Sequence, residues 1–235
     1  MSGKVSSKIV TDGLVLNLDG ANPKSYISGS TTWDDLTYYK NNGTLINSPT
    51  FDSNNNGSIV FDGIDDYVET NIVSLKSIVS RPCSLSVWFK TNISNTIRQV
   101  IMADWNSSGS FETTRLEISG FNITPGKVGG CLVNIYGGSN GTVQSTTTIQ
   151  TNVWYNVVIQ CPTTATTELY LNGVLENSVS SIEGIIGNGN LTIGRAGLFS
   201  ALYLSGNVSN TSIYNRALTP SEVLQNYNAL KNRFI

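Results

Sequence analysis

The chain has 235 residues, of which 13% are charged, and a formal net charge of -2. That composition excludes a nucleic-acid partner, which needs clustered Lys and Arg to displace counterions. Histidine is absent, which removes the commonest general base, the commonest metal ligand and every Ser-His or Cys-His nucleophile pair.

No apolar run approaches the roughly 18 residues of a membrane-spanning helix, so no membrane insertion is expected. The opening Met1-Ser2-Gly3-Lys4-Val5-Ser6-Ser7-Lys8 lacks the apolar core of a signal peptide. The expectation is a protein made in the cytoplasm that stays there or leaves by assembly or lysis. Cys83, Cys131 and Cys161 are odd in number and lack C-x-x-C spacing. Each sits in or beside an apolar run, which points to buried thiols rather than a disulfide framework. The Asn-x-Ser/Thr triplets at Asn42, Asn92, Asn106 and Asn122 are read as incidental to an Asn- and Thr-rich composition.

Residues 1–11 are polar and carry no core pattern. They read as a tail, or as an arm that anchors the protein to a neighbour, ahead of one domain over 12–235. Residues 13–19 alternate like a strand. Residues 19–50 are rich in turn formers. Ile59 and Phe61 alternate with Val60, Asp62-Gly63 breaks the strand, and Tyr67-Val68 restarts it. In residues 84–90, Leu85, Val87 and Phe89 point one way and Ser86, Trp88 and Lys90 the other. Further strands are expected at 98–104, 115–119, 131–136, 154–160, 191–195 and 208–214, with a Thr-rich run at 142–151. Asn172-Gly173 supplies the two positive-φ residues of a type I′ turn, so 168–175 is a hairpin. Thr219, Pro220 and Glu222 form a capping box with proline at the first helical position. A helix follows with Val223, Leu224, Tyr227 and Leu230 on one face, expected to pack through Leu224 and Tyr227. About a dozen short strands separated by turn signals make an all-β antiparallel two-sheet sandwich or jelly roll with one short C-terminal helix.

Several blocks resemble the laminin-G-like branch of the concanavalin A-like lectin/glucanase superfamily. The segment Phe61-Asp62-Gly63-Ile64-Asp65-Asp66-Tyr67-Val68 resembles its "FDG-x-D-D-Y-V" signature. Trp154-Tyr155-Asn156-Val157 is similar to its "W-x-x-V" strand, and Leu169-Tyr170-Leu171-Asn172-Gly173 to its "L-Y-V-N-G" hairpin. Ile213-Tyr214-Asn215-Arg216-Ala217-Leu218-Thr219 resembles its closing strand and helix. Two places depart from the pattern. Thr37-Tyr38-Tyr39-Lys40 replaces the usual "Ser-Gly-Asn-Gly", and Ser209-Asn210-Thr211 stands where the family carries an acidic pair.

The structural calcium that many such relatives bind would fall on Asp62, Asp65 and Asp66, with Asp34 and Asp35 as further contributors, since calcium wants several oxygen ligands; with the later acidic pair missing, weak or absent calcium dependence is expected. The competing role for these carboxylates is capping turns. No other cofactor is expected. Glycosidases of the superfamily carry paired carboxylates in an "E-x-D-x-x-E" arrangement. Glu112 and Glu117 are five apart, so on one strand they face opposite ways. The expectation is therefore a protein that is not an enzyme. A sugar site stacks a pyranose on an aromatic ring beside polar side chains. Trp88, Trp105, Arg115 and Tyr136 are the candidates, and core or rim packing is the competing role for each.

Residues 13–26 together with Thr32-Trp33-Asp34-Asp35-Leu36 resemble laminin-G-like domains of tailed-phage virion proteins. That implies a capsid decoration, fibre or appendage at the virion surface. Such a domain is held in many copies or as a homo-oligomer by other virion proteins and meets host or environmental glycans. The alternatives are a cellular carbohydrate-binding module and, third, a degenerate glycoside hydrolase.

Overall fold

The computed structural model describes residues 8–73, 75–78, 82–94, 96–105, 114–120, 122–131, 142–163, 165–180, 189–196 and 202–235. Among them are β1 (Leu14–Asp19), β2 (Thr32–Trp33), β3 (Gly43–Ile46), β4 (Thr50–Asp52), β5 (Ser58–Asp62) and β6 (Tyr67–Thr70). The short helix α1 (Leu75–Ile78) precedes β7 (Cys83–Thr91), β8 (Gln99–Trp105), β9 (Thr114–Ile118), β10 (Val128–Cys131) and β11 (Val143–Gln144). Then come β12 (Tyr155–Thr163), β13 (Thr166–Leu171), β14 (Val174–Ser180), β15 (Asn190–Ile193), β16 (Ser205–Tyr214) and the helix α2 (Pro220–Leu230).

The strands form two antiparallel sheets. One runs β14-β13-β12-β7-β16-β5-β4, with β1 also on β16; the other runs β11-β10-β9-β8-β15-β6-β3-β2. The core lies between them. Leu85, Val87 and Phe89 of β7 and Val157 and Ile159 of β12 meet Met102, Leu116 and Ile193 of the facing sheet. This is the expected all-β sandwich. The β13–β14 hairpin turns at Asn172 (φ 51°) and Gly173 (φ 82°), the backbone that its Asn-Gly pair favours. Cys83, Cys131 and Cys161 are buried and form no disulfide.

Strand β16 organises the first sheet. One edge pairs with β7 along most of its length. The other edge pairs with β5 over Ser205 to Val208 and with β1 over Asn210 to Tyr214. The changeover falls at Ser209, where the register against β7 shifts. There the Gly20 N–H donates to Ser209 O (2.8 Å) and Ser209 Oγ donates to Gly57 O (2.7 Å). Gly57 sits at φ 130°, and a Cβ on it would lie 2.4 Å from Gly20 O, so the junction needs glycine.

Helix α2 starts as its sequence implies. Glu222 N–H donates to the Thr219 side chain, and Glu222 Oε2 accepts from Thr219 N–H (2.8 Å). The inward face differs from expectation. Val223, Asn226 and Leu230 are buried, whereas Leu224 is 45% exposed. One residue is 100° of helix, so with Val223 at the centre of the contact Leu224 falls at its rim. Tyr227 does pack inward, stacked on Trp88. The helix covers the outer face of the first sheet, where Val158, Tyr170, Tyr214, Leu218 and Val223 form a second apolar cluster.

Val10 belongs to that cluster. Its N–H donates to Asn226 Oδ1 (2.8 Å), its carbonyl accepts from Tyr214 Oη (3.0 Å), and Lys8 O accepts from Gln225 Nε2 (2.8 Å). Residues 8–11, read from sequence as part of an arm, are thus laid onto the sandwich; residues 1–7 lie outside the described residues.

Asn226→Ala is expected to cost about 1–3 kcal/mol, because it strands the buried Val10 N–H and removes the donor to Tyr214 Oη. Leu224→Ala is expected to stay within about 0.5 kcal/mol. Denaturant unfolding of the two variants checks the order, and the reverse order would mean that α2 presents a different face.

Candidate functional site

Beside β1 the outer face carries a strip of buried polar side chains, Asn17, Asp19 and Asn210. Leu16 and Leu18 of β1 face the core, so Asn17 and Asp19 face outward, next to the outward Asn210 of β16. Asn210 Nδ2 donates to Asn17 Oδ1 (2.9 Å) and to Leu18 O (3.1 Å). At one side, Arg233 closes a two-pronged ion pair on Asp19 (2.7 and 3.0 Å). At the other stands the loop with Tyr38 and Tyr39. Together they bound an open groove of about 600 Å³.

The tyrosine loop is held by one carboxylate. Asp35 is buried, and its two oxygens accept from Asn17 N–H (2.9 Å), Thr37 N–H (2.9 Å), Thr37 Oγ1 (2.6 Å) and Asn41 N–H (2.9 Å). Asp35 N–H in turn donates to Asn42 Oδ1 (2.9 Å). The loop is therefore fastened to β1 at its base. Its tip leaves Tyr38 95% and Tyr39 57% exposed, with ring centroids 6.3 Å apart and planes at 74°. A groove with polar side chains and large exposed rings on a fixed loop suits stacking and hydrogen bonding of a sugar.

Of the four residues singled out from sequence, Trp88 and Arg115 are not among those lining the groove. Trp88 does point to the outer face, but it is 2% exposed. Tyr227 stacks on it at 5.5 Å and Phe234 at 4.3 Å. Alternation located the face correctly, and α2 with the residues after it covers it. Arg115 lies on β9 of the other sheet, so it does not share a face with Trp88. Trp105 ends β8, opposite Asn190. Tyr136 lies outside the described residues, as does Glu112. Glu117 is fully buried, 2.9 Å from Arg98 Nε and 2.8 Å from Arg115 Nε.

Asp62, Asp65 and Asp66 bring carboxylate oxygens within 4.8 Å of one another. Their bonds build a turn. Asp62 Oδ1 accepts from the N–H groups of Ile64 (2.8 Å), Asp65 (3.2 Å) and Asp66 (3.4 Å), and Asp66 Oδ2 accepts from Asp62 N–H (3.1 Å). Burial pushes on Asp62, but these backbone donors outweigh it and hold its pKa low. Burial first, then the Asp62 charge, pushes Asp66 up to about 6. Calcium seeks six to eight oxygens, and here two of the three carboxylates already serve the turn. Asp34 and Asp35 belong to the tyrosine loop, where Asp34 Oδ1 accepts from Asn42 Nδ2 (2.9 Å). Ser209-Asn210-Thr211 is buried on the part of β16 beyond its Asp62 pairing. Asp62, Asp65 and Asp66 thus form a cluster that could hold a cation, with two of the three carboxylates shared with the turn.

The residues that sequence reasoning missed are Tyr38, Tyr39, Asn17, Asp19, Asn210 and Arg233. A signal was present: Tyr38-Tyr39 and Asn210 fall in the two places where the chain departs from the family pattern.

A laminin-G-like family described as the concanavalin A-like lectin/glucanases superfamily matches residues 62–224. The chain belongs to that superfamily. No curated protein matches it. Among solved structures, the binding domain of botulinum neurotoxin serotype D is similar at 14% identity and TM-score 0.70 over 92% of this chain. The match takes in 51% of the toxin domain, so the chain spans about half its length. Domain 4 of AbnA, a GH43 extracellular arabinanase from Geobacillus stearothermophilus, was solved in complex with arabinotriose. It is similar at 16% identity and TM-score 0.66, over 91% of this chain and 98% of that domain. Trypanosoma rangeli sialidase, solved with 2,3-difluorosialic acid, matches at 14% identity and TM-score 0.70 over 99% of this chain and 35% of the enzyme. At such identities the likeness is one of fold.

The raised carboxylates set a pH dependence. Burial lifts Asp104 to about 6, against the backbone donors Gly189 and Leu75, as it lifts Asp66. A raised acid contributes stability that is complete below its unfolded value near 4 and is lost as pH rises through about 6. Glu222 works the other way. The Arg216 side chain holds it down to about 2, so its contribution is present above the unfolded value and is lost as pH falls toward 2. The melting midpoint is therefore expected to fall as pH rises from 4.5 to 7, a window of about 2.5 units set by these shifts. Asp66→Asn is expected to flatten that slope and raise the midpoint at neutral pH by roughly 2–4 °C. Added calcium is expected to leave the midpoint unmoved; a rise with calcium that Asp66→Asn abolishes would show that the cluster holds the ion.

Proposed function

We propose that this chain is a non-catalytic, lectin-like domain that binds glycans through the tyrosine-flanked groove and is displayed on the surface of a tailed-phage virion. The observation that carries the binding half is the groove itself: two exposed rings fixed beside polar side chains by the buried Asp35. Two structural neighbours solved with sugars, the arabinanase domain with arabinotriose and the sialidase with its sialic-acid derivative, support a carbohydrate as the ligand class. Absence of histidine, and a Glu117 engaged by two guanidinium groups, support binding without hydrolysis.

The resemblance of residues 13–36 to virion proteins supports the setting as capsid decoration, fibre or appendage. One shallow site yields little free energy, so adhesion gains from many copies fixed on one particle, or from a homo-oligomer. Contacts with other virion proteins supply that repetition. A cellular carbohydrate-binding module is the second reading, and the near-complete coverage of the arabinanase domain favours it.

Two measurements test the proposal. On a glycan array the chain is expected to bind, and Tyr38→Ala/Tyr39→Ala is expected to lose binding while unfolding as the parent does. Binding that survives the double change would remove the groove from the account. Proteomics of purified phage particles is expected to find the chain in many copies, and its absence from every particle would favour the cellular module.

A further inference from the structure

The charge along the groove is one-sided. Asp19 is the carboxylate that lines it, and each of its oxygens is engaged. Oδ1 accepts from Arg233 Nη1 (2.7 Å) and from Ala21 N–H (3.0 Å), and Oδ2 accepts from Arg233 Nη2 (3.0 Å). A guanidinium has five N–H donors. Two are spent on Asp19, and Arg233 stays partly exposed at the groove wall. Its backbone is fixed as well, since Arg233 O accepts from Asn55 Nδ2 (2.8 Å). Lys8 is exposed on the same lining. Asn22 turns its oxygen to the Lys24 N–H (3.0 Å), which leaves its Nδ2 as a donor. Two cations and one anion, itself paired with Arg233, thus line a groove on a chain whose overall charge is -2.

We infer that the groove takes an anionic glycan, a sugar chain carrying carboxylate or sulfate groups, with Tyr38 and Tyr39 stacking the rings and Arg233 and Lys8 meeting the charge. The inference rests on the glycan-binding reading of the groove. Asp19 is a positioning residue here: it holds the guanidinium in one orientation, so that little side-chain freedom is lost when the ligand arrives. A neutral sugar presents hydroxyls that both donate and accept. The hydroxyls and amides of the lining can serve such a sugar, but its two cations add attraction only for an anionic, acceptor-only group.

Calorimetric titration of the full chain tests this with three oligosaccharides of equal length: an oligomannuronate, a sulfated galactan and a neutral mannan. Both anionic probes, or one of them, are expected to bind more tightly than the neutral one; the stronger of the two names the group. The advantage should shrink from about 0.02 M to about 0.5 M salt, as charges exposed to solvent become screened. Lys8→Glu, at an exposed position, is expected to weaken the anionic probe about three- to tenfold and to leave the neutral one unchanged. Tyr38→Ala should weaken whichever probe binds by about five- to tenfold. If the neutral mannan binds as tightly, without salt dependence and without response to Lys8→Glu, the charge inference falls and the glycan-binding reading stands. If no probe binds, or binding ignores both tyrosines, the groove reading falls and the inference falls with it.

Discussion

The structure depends on the shared edge of β16. Its backbone groups serve β5 along one half and β1 along the other, while β7 occupies the opposite edge. A sheet must pair its backbone N–H and C=O groups or pay for their desolvation. Two strands on one edge therefore need a junction without gaps. The Ser209 bulge, the Gly20 to Ser209 bond and the close approach of Gly57 supply it. One consequence reaches the site. By taking the second half of that edge, β1 brings Asn17 and Asp19 alongside Asn210 on the outward face.

The outer face is divided between packing and access. Along β7 and β12, Trp88 and Val158 lie beneath α2 and the chain that follows it. Burying rings of that size contributes a large share of what docks the helix. Where the helix ends, its successor Arg233 turns onto Asp19 instead. The ion pair both closes the helical layer and bounds the groove. Asp35 performs the matching task from the other side, since its four donors include the Asn17 N–H of the groove strand and the Asn41 N–H of the loop. Each wall is therefore tied to the same strand, β1. A groove held this way loses little freedom when a ligand enters.

Much of the scaffold was legible in the sequence because it rests on local rules. Asn172-Gly173 dictated its turn, Thr219 and Glu222 dictated the helix start, and alternation in β7 gave the correct face for every side chain. What alternation could not give was the fate of the second face. Trp88 pointed outward as expected, yet whether an outward ring meets water or another layer depends on a helix more than 130 residues away in sequence. Asn226 was invisible for the complementary reason. It is polar, so hydropathy reads it as solvent-facing, but it is buried to satisfy Val10 and Tyr214. The candidate site was hidden because its parts are scattered over Lys8, Asn17, Tyr38, Asn210 and Arg233. The departures from the family pattern at Thr37-Tyr38-Tyr39-Lys40 and Ser209-Asn210-Thr211 marked only two of them, Tyr38 and Asn210.

The position of those departures bears on how far the family can speak for the ligand. The superfamily match covers residues 62–224, which contain the hairpin, the core strands and the helix start. Tyr38, Tyr39, Asn17, Asp19 and Arg233 all lie outside that span, and Asn210 alone lies within it. The matched span contains most of the sandwich core, and the groove is built largely from the segments on either side. Fold and ligand are thus encoded in different parts of the chain. Proteins at 14–16% identity reproduce the first without constraining the second, because a β-sandwich tolerates wide change in the side chains that leave its core. The chemistry of the groove must then be argued from its own charges and rings. Those are two tyrosines on a pinned loop, a guanidinium paired with Asp19, and the exposed Lys8.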